Sequence, residues 1–90
     1  MTPSIGRIVH YHFANGRGQR VARPAIIVQA WSDKPDASLN LQVFLDGAND
    51  AKLGEAGHDL LWATSVTAEQ NLPDHADPAT STWWSWPPRA

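Results

Sequence analysis

Cysteine is absent from this 90-residue chain. That excludes disulfide staples, cysteine-ligated zinc and a thiol nucleophile, and it is the usage expected of a cytoplasmic protein. No apolar run approaches the roughly 20 residues that cross a bilayer; the longest stretch is Pro24 to Val28. The start, Met1-Thr2-Pro3-Ser4, has no basic segment followed by an apolar one, so no secretory signal is expected. Phosphate-binding glycine loops, dinucleotide fingerprints and serine elbows are also missing. Charged residues are few, 18% against 42% hydrophobic, which suits one folded domain over residues 1–90 and not a disordered chain. Without staples, the core must hold unaided or self-association must help it.

Acidic residues are missing from the first 32 positions, which hold Arg7, Arg17, Arg20 and Arg23 and so carry +4. Residues 33–90 hold three cations against nine acids, or −6, and the whole chain is −2. Arginine suits bidentate recognition of phosphate. The net charge does not suit a polyanion-binding face, so duplex nucleic acid is not expected as a partner. A small phosphorylated ligand needs fewer charges. The plain alternative is four solvated arginines on a hairpin.

Against one Tyr and two Phe stand five Trp. Each brings a large apolar body and an N–H that needs an acceptor. A small barrel has difficulty hiding all five. The surplus points to an aromatic binding surface, a subunit interface, or both. A homodimer or homotetramer is therefore expected.

The patterning is that of strands. Gly6 to Phe13 alternates, with Ile5, Val9, Tyr11 and Phe13 on one face and Ile8, His10 and His12 on the other. Asn15-Gly16-Arg17-Gly18 is a turn signal. Val21 to Trp31 is a second strand, in which Pro24 implies an edge or a bulge. Leu39 to Asp46 alternates most cleanly. One helical turn is expected over Asp50 to Gly54, a fourth strand over Leu60 to Val66, and a long polar connection over residues 67–80. A short Trp-rich strand, Thr82 to Trp86, ends at Pro87-Pro88. Five short strands without helical periodicity predict an all-β fold, a small five-stranded antiparallel SH3-like barrel, with an OB-like barrel second. The expected core is Ile8 or Val9, with Ile26, Val28, Leu41, Val43, Leu61 and Val66. Apolar residues on both faces leave the facing of the first two strands open.

Few motifs carry chemistry. His10 and His12 share a face, a spacing that permits a metal with His58-Asp59 or Asp74-His75, but nothing fixes a third ligand. Hydrogen bonding to a ligand or loop is the alternative. Asp46 and Asp50 around Gly47-Ala48-Asn49 match no calcium loop and read as turn capping. Neither a cofactor, a metal nor a nucleophile–base pair is indicated, so no enzyme is expected. Alternation puts Trp84 and Trp86 on one face and Trp83 on the other. A tryptophan face can stack on a base for about 1–3 kcal/mol.

Several segments resemble short proteins of tailed phages and prophages: Pro3 to Tyr11, Arg23 to Val28, Asn40 to Gly47, Trp62 to Val66, and Thr82-Trp83 with Trp86-Pro87. The chain looks similar to the anti-CBASS sponges, which oligomerise and sequester cyclic nucleotide signals without cleaving them. This resemblance implies a non-enzymatic protein in the cytoplasm of an infected bacterium that binds a cyclic oligonucleotide. On it, Arg7, His10, Tyr11, Arg17, Arg23, Trp31, Trp62, Trp84 and Trp86 are the expected ligand-binding residues. The ending departs from a simpler Trp-x-Trp-Pro, because it reads Trp83-Trp84-Ser85-Trp86-Pro87.

Gly6-Arg7-Ile8-Val9, Gly18-Gln19-Arg20 and Arg23 to Val28 also resemble the opening of PemK/MazF-type barrels. That likeness implies an RNA endonuclease in which Arg17 or Arg20 stabilises the phosphorane. Leu39 to Asp46 is not followed by the Thr- or Ser-bearing segment of that family. A third class is an SH3-like interaction module whose Trp face docks a peptide or host protein.

Overall fold

The structure, a computed structural model, describes residues 2–55, 57, 59–77 and 79–88. It is all-β, with five strands: β1 (Ile8–Ala14), β2 (Arg20–Ala30), β3 (Leu39–Phe44), β4 (Leu60–Val66) and β5 (Trp83–Ser85). They form one antiparallel sheet in the order β4-β3-β2-β1-β5. Beyond β4 the chain turns back over the sheet. Ala68 makes a parallel bridge with Trp84, and the Trp84 N–H donates to the Thr67 carbonyl at 3.0 Å. The two ends of the sheet thus meet at one point. The sheet curls as a barrel does but is not closed by a continuous ladder.

Strand alternation sets the two faces. Val9, Tyr11 and Phe13 of β1, Ala25 and Ile27 of β2, and Leu39, Leu41 and Val43 of β3 point inward, where Ala63, Val66, Ala68 and Trp84 join them. The expected core members Val9, Leu41, Val43 and Val66 are buried. Ile26, Val28 and Leu61 are not. In β2 the inward residues are Ala25 and Ile27, which leaves Ile26 half-buried on the outer face. Val28 is the extra residue of a bulge between Ile27 and Gln29, and it is exposed. Leu61 pairs with buried Val43 but lies on the edge strand, and it stays 36% exposed.

Pro24 lies in a central strand, but at a place where that strand is locally an edge. It pairs with His10, while the ladder from β2 to β3 begins only at Ala25. The missing N–H therefore breaks no ladder on the β3 side. The expected helical turn at Asp50 to Gly54 is a 3-10 helix three to four residues earlier, Gly47–Asp50. Gly47 takes φ +47, which turns the chain out of β3, and the Asn49 N–H donates to the Asp46 carbonyl. A second 3-10 helix, Glu69–Asn71, occupies the long connection. Among the described residues no helix is long and apolar enough to cross a membrane.

The hairpin between β1 and β2 and the Gly47–Asp50 helix are fastened together. Asn15 is buried; its carbonyl oxygen accepts the N–H groups of Arg17 and Gln19, and its amide donates to Asn49 and to Asp50. The Gly16 N–H donates to the Asp50 carbonyl. A Cβ on Gly16 would lie 2.5 Å from the Lys52 backbone nitrogen, so only glycine allows this approach. Asp50 is buried and accepts both Nε and an Nη of Arg23 at 2.7 Å, with a further bond from the Asp46 N–H. The expected capping role of Asp50 is thus part of a larger knot of bonds.

Candidate functional site

The outer face of β1 carries His10 and His12. The register places His12 between Ala22 of β2 and Trp83 of β5, and His10 between Pro24 and Ser85. The Trp83 ring stacks on the His12 ring at 5.0 Å with planes 10° apart. The Arg20 guanidinium stands 4.8 Å from the centre of the Trp83 ring. His12 Nε2 is 2.7 Å from Ser85 Oγ. His10 adds a second imidazole 6.5 Å from the first. An open cleft of about 460 Å³ is lined by His12, Arg20, Val21, Ala22 and Trp83, with His10 and Ser85 as neighbours of His12.

Two polar groups in this cleft lack partners among the described residues. The Trp83 indole N–H is buried and meets no acceptor. Buried donors are nearly always paired, so an orphan marks a place where an acceptor from outside belongs. Among the described residues Arg20 meets neither a carboxylate nor a hydrogen-bond acceptor. Its contact with Trp83 is a cation–π attraction, which leaves the guanidinium N–H groups available. Burial lowers the pKa of His12 below its ordinary value; Glu69 opposes this, while His10 and Arg20 add to it. His12 is therefore neutral near pH 7. The cleft offers one fixed cation, one orphan donor and a neutral imidazole, a set that suits an anionic, acceptor-rich group.

The nine residues expected to bind ligand are not brought together. Tyr11 and Trp84 are core residues. Trp84 is 2% exposed, and its N–H donates to the Ala37 carbonyl at 2.9 Å. Trp86 packs against Trp84, edge to face at 5.6 Å, and Arg7 lies 6.0 Å from its ring. Arg17 is held by the carbonyls of Ala48 and Ala51, and Arg23 by Asp50. Trp31 and Trp62 are 59% and 51% exposed on the opposite wing of the sheet. None of the nine lines the cleft, although His10 is a ring neighbour of His12, which does.

The residues that line the cleft with polar or aromatic groups are Arg20, Trp83 and His12, and Ser85 bonds to His12. Alternation already separates Trp83 from Trp84 and Trp86, and it pairs His12 with His10. What links Trp83 to His12 is the adjacency of the first and last strands, which no local pattern encodes. Among the described residues no three His, Asp or Glu side chains converge as a metal site would require. His58, a possible partner of the two histidines, lies outside the described residues. No family model, curated protein or solved structure matches the chain.

Proposed function

We propose that this chain is a non-enzymatic binding protein that sequesters a cyclic oligonucleotide signal in the cytoplasm of a phage-infected bacterium. The ligand's phosphate or base-edge oxygens are anchored in the Trp83 cleft. The observation that carries the anchoring is the pairing of an orphan indole N–H with an uncommitted guanidinium in one cleft. The resemblance to sponge proteins supplies the class of ligand. The Trp83 ring is already engaged by His12 and Arg20, so its N–H and not its face is the recognition element. Sequestration requires tight binding and intact release, for which preorganised donors matter more than acid–base groups.

Isothermal titration with a panel of cyclic di- and trinucleotides tests this. At least one should bind more tightly than about 10 μM, roughly −7 kcal/mol, and be recovered unchanged after denaturation. Arg20→Ala removes a charge-assisted bond and should weaken binding about 10- to 100-fold. Trp83→Phe removes the donor but keeps a ring, and it should weaken binding about 10-fold. Binding should also take up protons. A bound anion raises the depressed pKa of His12, with Glu69, His10 and Arg20 as the neighbouring charges. If no member of the panel binds below that threshold, the sequestration reading is dropped.

A second reading is favoured by one specific feature. Arg20, His10 and His12 share one wing of the outer face, and a cation with two imidazoles is a set of groups that metal-independent RNA cleavage can use. Incubation with labelled single-stranded RNA separates the two. Cleavage abolished by Arg20→Ala would replace sequestration with endonuclease activity.

A further inference from the structure

We infer that β4 is the contact strand of a two-fold dimer, in which a second copy of this chain extends the sheet edge to edge. β5, at one end of the sheet, is partly covered by the bridge from Ala68 and the bond from Trp84 to Thr67. Among the described residues β4, at the other end, pairs only with β3. Its outer backbone edge has no partner among the described residues from Leu60 to Ala63. Natural proteins protect such edges with charges, prolines or short strands. β4 reads Leu-Leu-Trp-Ala-Thr-Ser-Val and has neither a charge nor a proline.

Its side chains match that edge. Leu60, Leu61 and Trp62 are 53%, 36% and 51% exposed, beside Phe44 at 41%. Trp31 continues the apolar surface from the end of β2. Asn40 Oδ1 accepts the Trp31 indole N–H at 3.1 Å and the Ser65 N–H at 2.9 Å. One acceptor therefore fixes the Trp31 ring with its donor satisfied and its apolar face exposed. It also fixes the bulge at which β4 leaves its ladder, where Ser65 takes φ +52. This surface is held ready and is not collapsed onto the fold.

The partner is a second copy because an antiparallel edge is its own complement. A two-fold axis near Trp62 places Leu60 against the partner's Thr64 and brings the two Trp62 rings side by side. The same axis sets each Asp59 opposite an uncharged Ser65 and away from the other Asp59. A stable interface takes about 800 Å² from each partner, near one seventh of this chain's 5712 Å². The dimer leaves the Trp83 cleft free, since the cleft lies at the other end of the sheet.

Sedimentation equilibrium of the full chain, with hydrogen exchange across the same concentrations, tests the interface. At high micromolar concentration the mass should be twice 9.9 kDa. Amides within Leu60–Ala63 should gain protection as the dimer forms. Leu60→Lys with Trp62→Lys puts charge on an exposed edge and should weaken association about 100-fold, with the circular dichroism spectrum unchanged. A wild-type mass of 9.9 kDa overturns the inference. So does a dimer that survives both substitutions, or one whose β4 amides exchange as fast as in the monomer. Should the double variant misfold, the exchange of wild-type β4 decides alone. Ligand titration is a separate readout, so failure of the dimer and failure of the proposed function are distinguishable.

Discussion

Arg23→Ala should destabilise the fold by about 3–5 kcal/mol, the range for removing one partner of a buried ion pair. The side chain of Asp50 is 1% exposed and that of Arg23 23%. Truncating Arg23 leaves the Asp50 carboxylate inside the protein with only the Asn15 amide and the Asp46 N–H. Those two bonds do not replace two charge-assisted ones. Asp50→Asn should be milder, because an amide can keep some of the bonds without an uncompensated charge. In urea titrations the double variant should lose less than the two single losses added together, the signature of direct coupling. Additive losses would mean that the pair contributes little as a pair.

The same knot sets an acid response. The bonds from Arg23 hold the Asp50 carboxyl well below the ordinary carboxylate range, against the opposing effect of burial, with help from Asp46 and Asn15. The folded protein therefore binds fewer protons than the unfolded chain in acid. A depressed carboxyl contributes stability that is present above its unfolded value, about 3.9, and is lost as pH falls from there toward the folded value. Unfolding free energy should decline below about pH 4 in the wild type. Asp50→Asn should flatten that part of the profile. An unchanged acid limb in Asp50→Asn would assign the effect to other carboxylates.

Trp84→Ala should rival or exceed this. Removal of a buried Trp costs about 3–5 kcal/mol through lost contact and the cavity left behind. The Ala37 carbonyl would also lose its donor, for about a further 1–3 kcal/mol. A domain of this kind has about 5–15 kcal/mol in all. The variant is thus expected to be largely unfolded or close to it at 37 °C, read by thermal denaturation. Trp84→Phe retains a ring and loses the N–H, so it should fold with a lowered midpoint. A fully stable Trp84→Ala would show that Trp84 is not the plug of this core.

Much of the sheet was legible because one-sided alternation has a single solution. Leu39, Leu41 and Val43 alternate with Asn40 and Gln42, and only one face of that strand can be buried. His10 and His12 fall together on the outer face for the same reason. β2 was ambiguous: Ala25, Ile26, Ile27 and Val28 give no polar partner to mark the outside, and the bulge at Val28 shifts the period partway along. The knot at Asp50 was illegible because its partners stand 27 and 35 residues away. Four early arginines look equivalent in sequence, yet the structure engages Arg17 and Arg23 in the 47–51 loop and leaves Arg20 over Trp83. That sorting depends on tertiary register, as does the meeting of Trp83 with His12.

The place of the last strand has a kinetic consequence. β5 docks beside β1, so the contact that seals the core joins residues more than 70 positions apart, Tyr11 with Trp84. During synthesis the hairpin of β1 and β2 and the next two strands can pair as they emerge. Tyr11 and its inner-face neighbours nevertheless stay wet until Trp84 exists. Closing that loop late makes the final step slow relative to local hairpin formation. The nascent chain spends that interval as an open sheet with an uncovered core and the bare edge of β4, the stage at which it is most exposed to premature association.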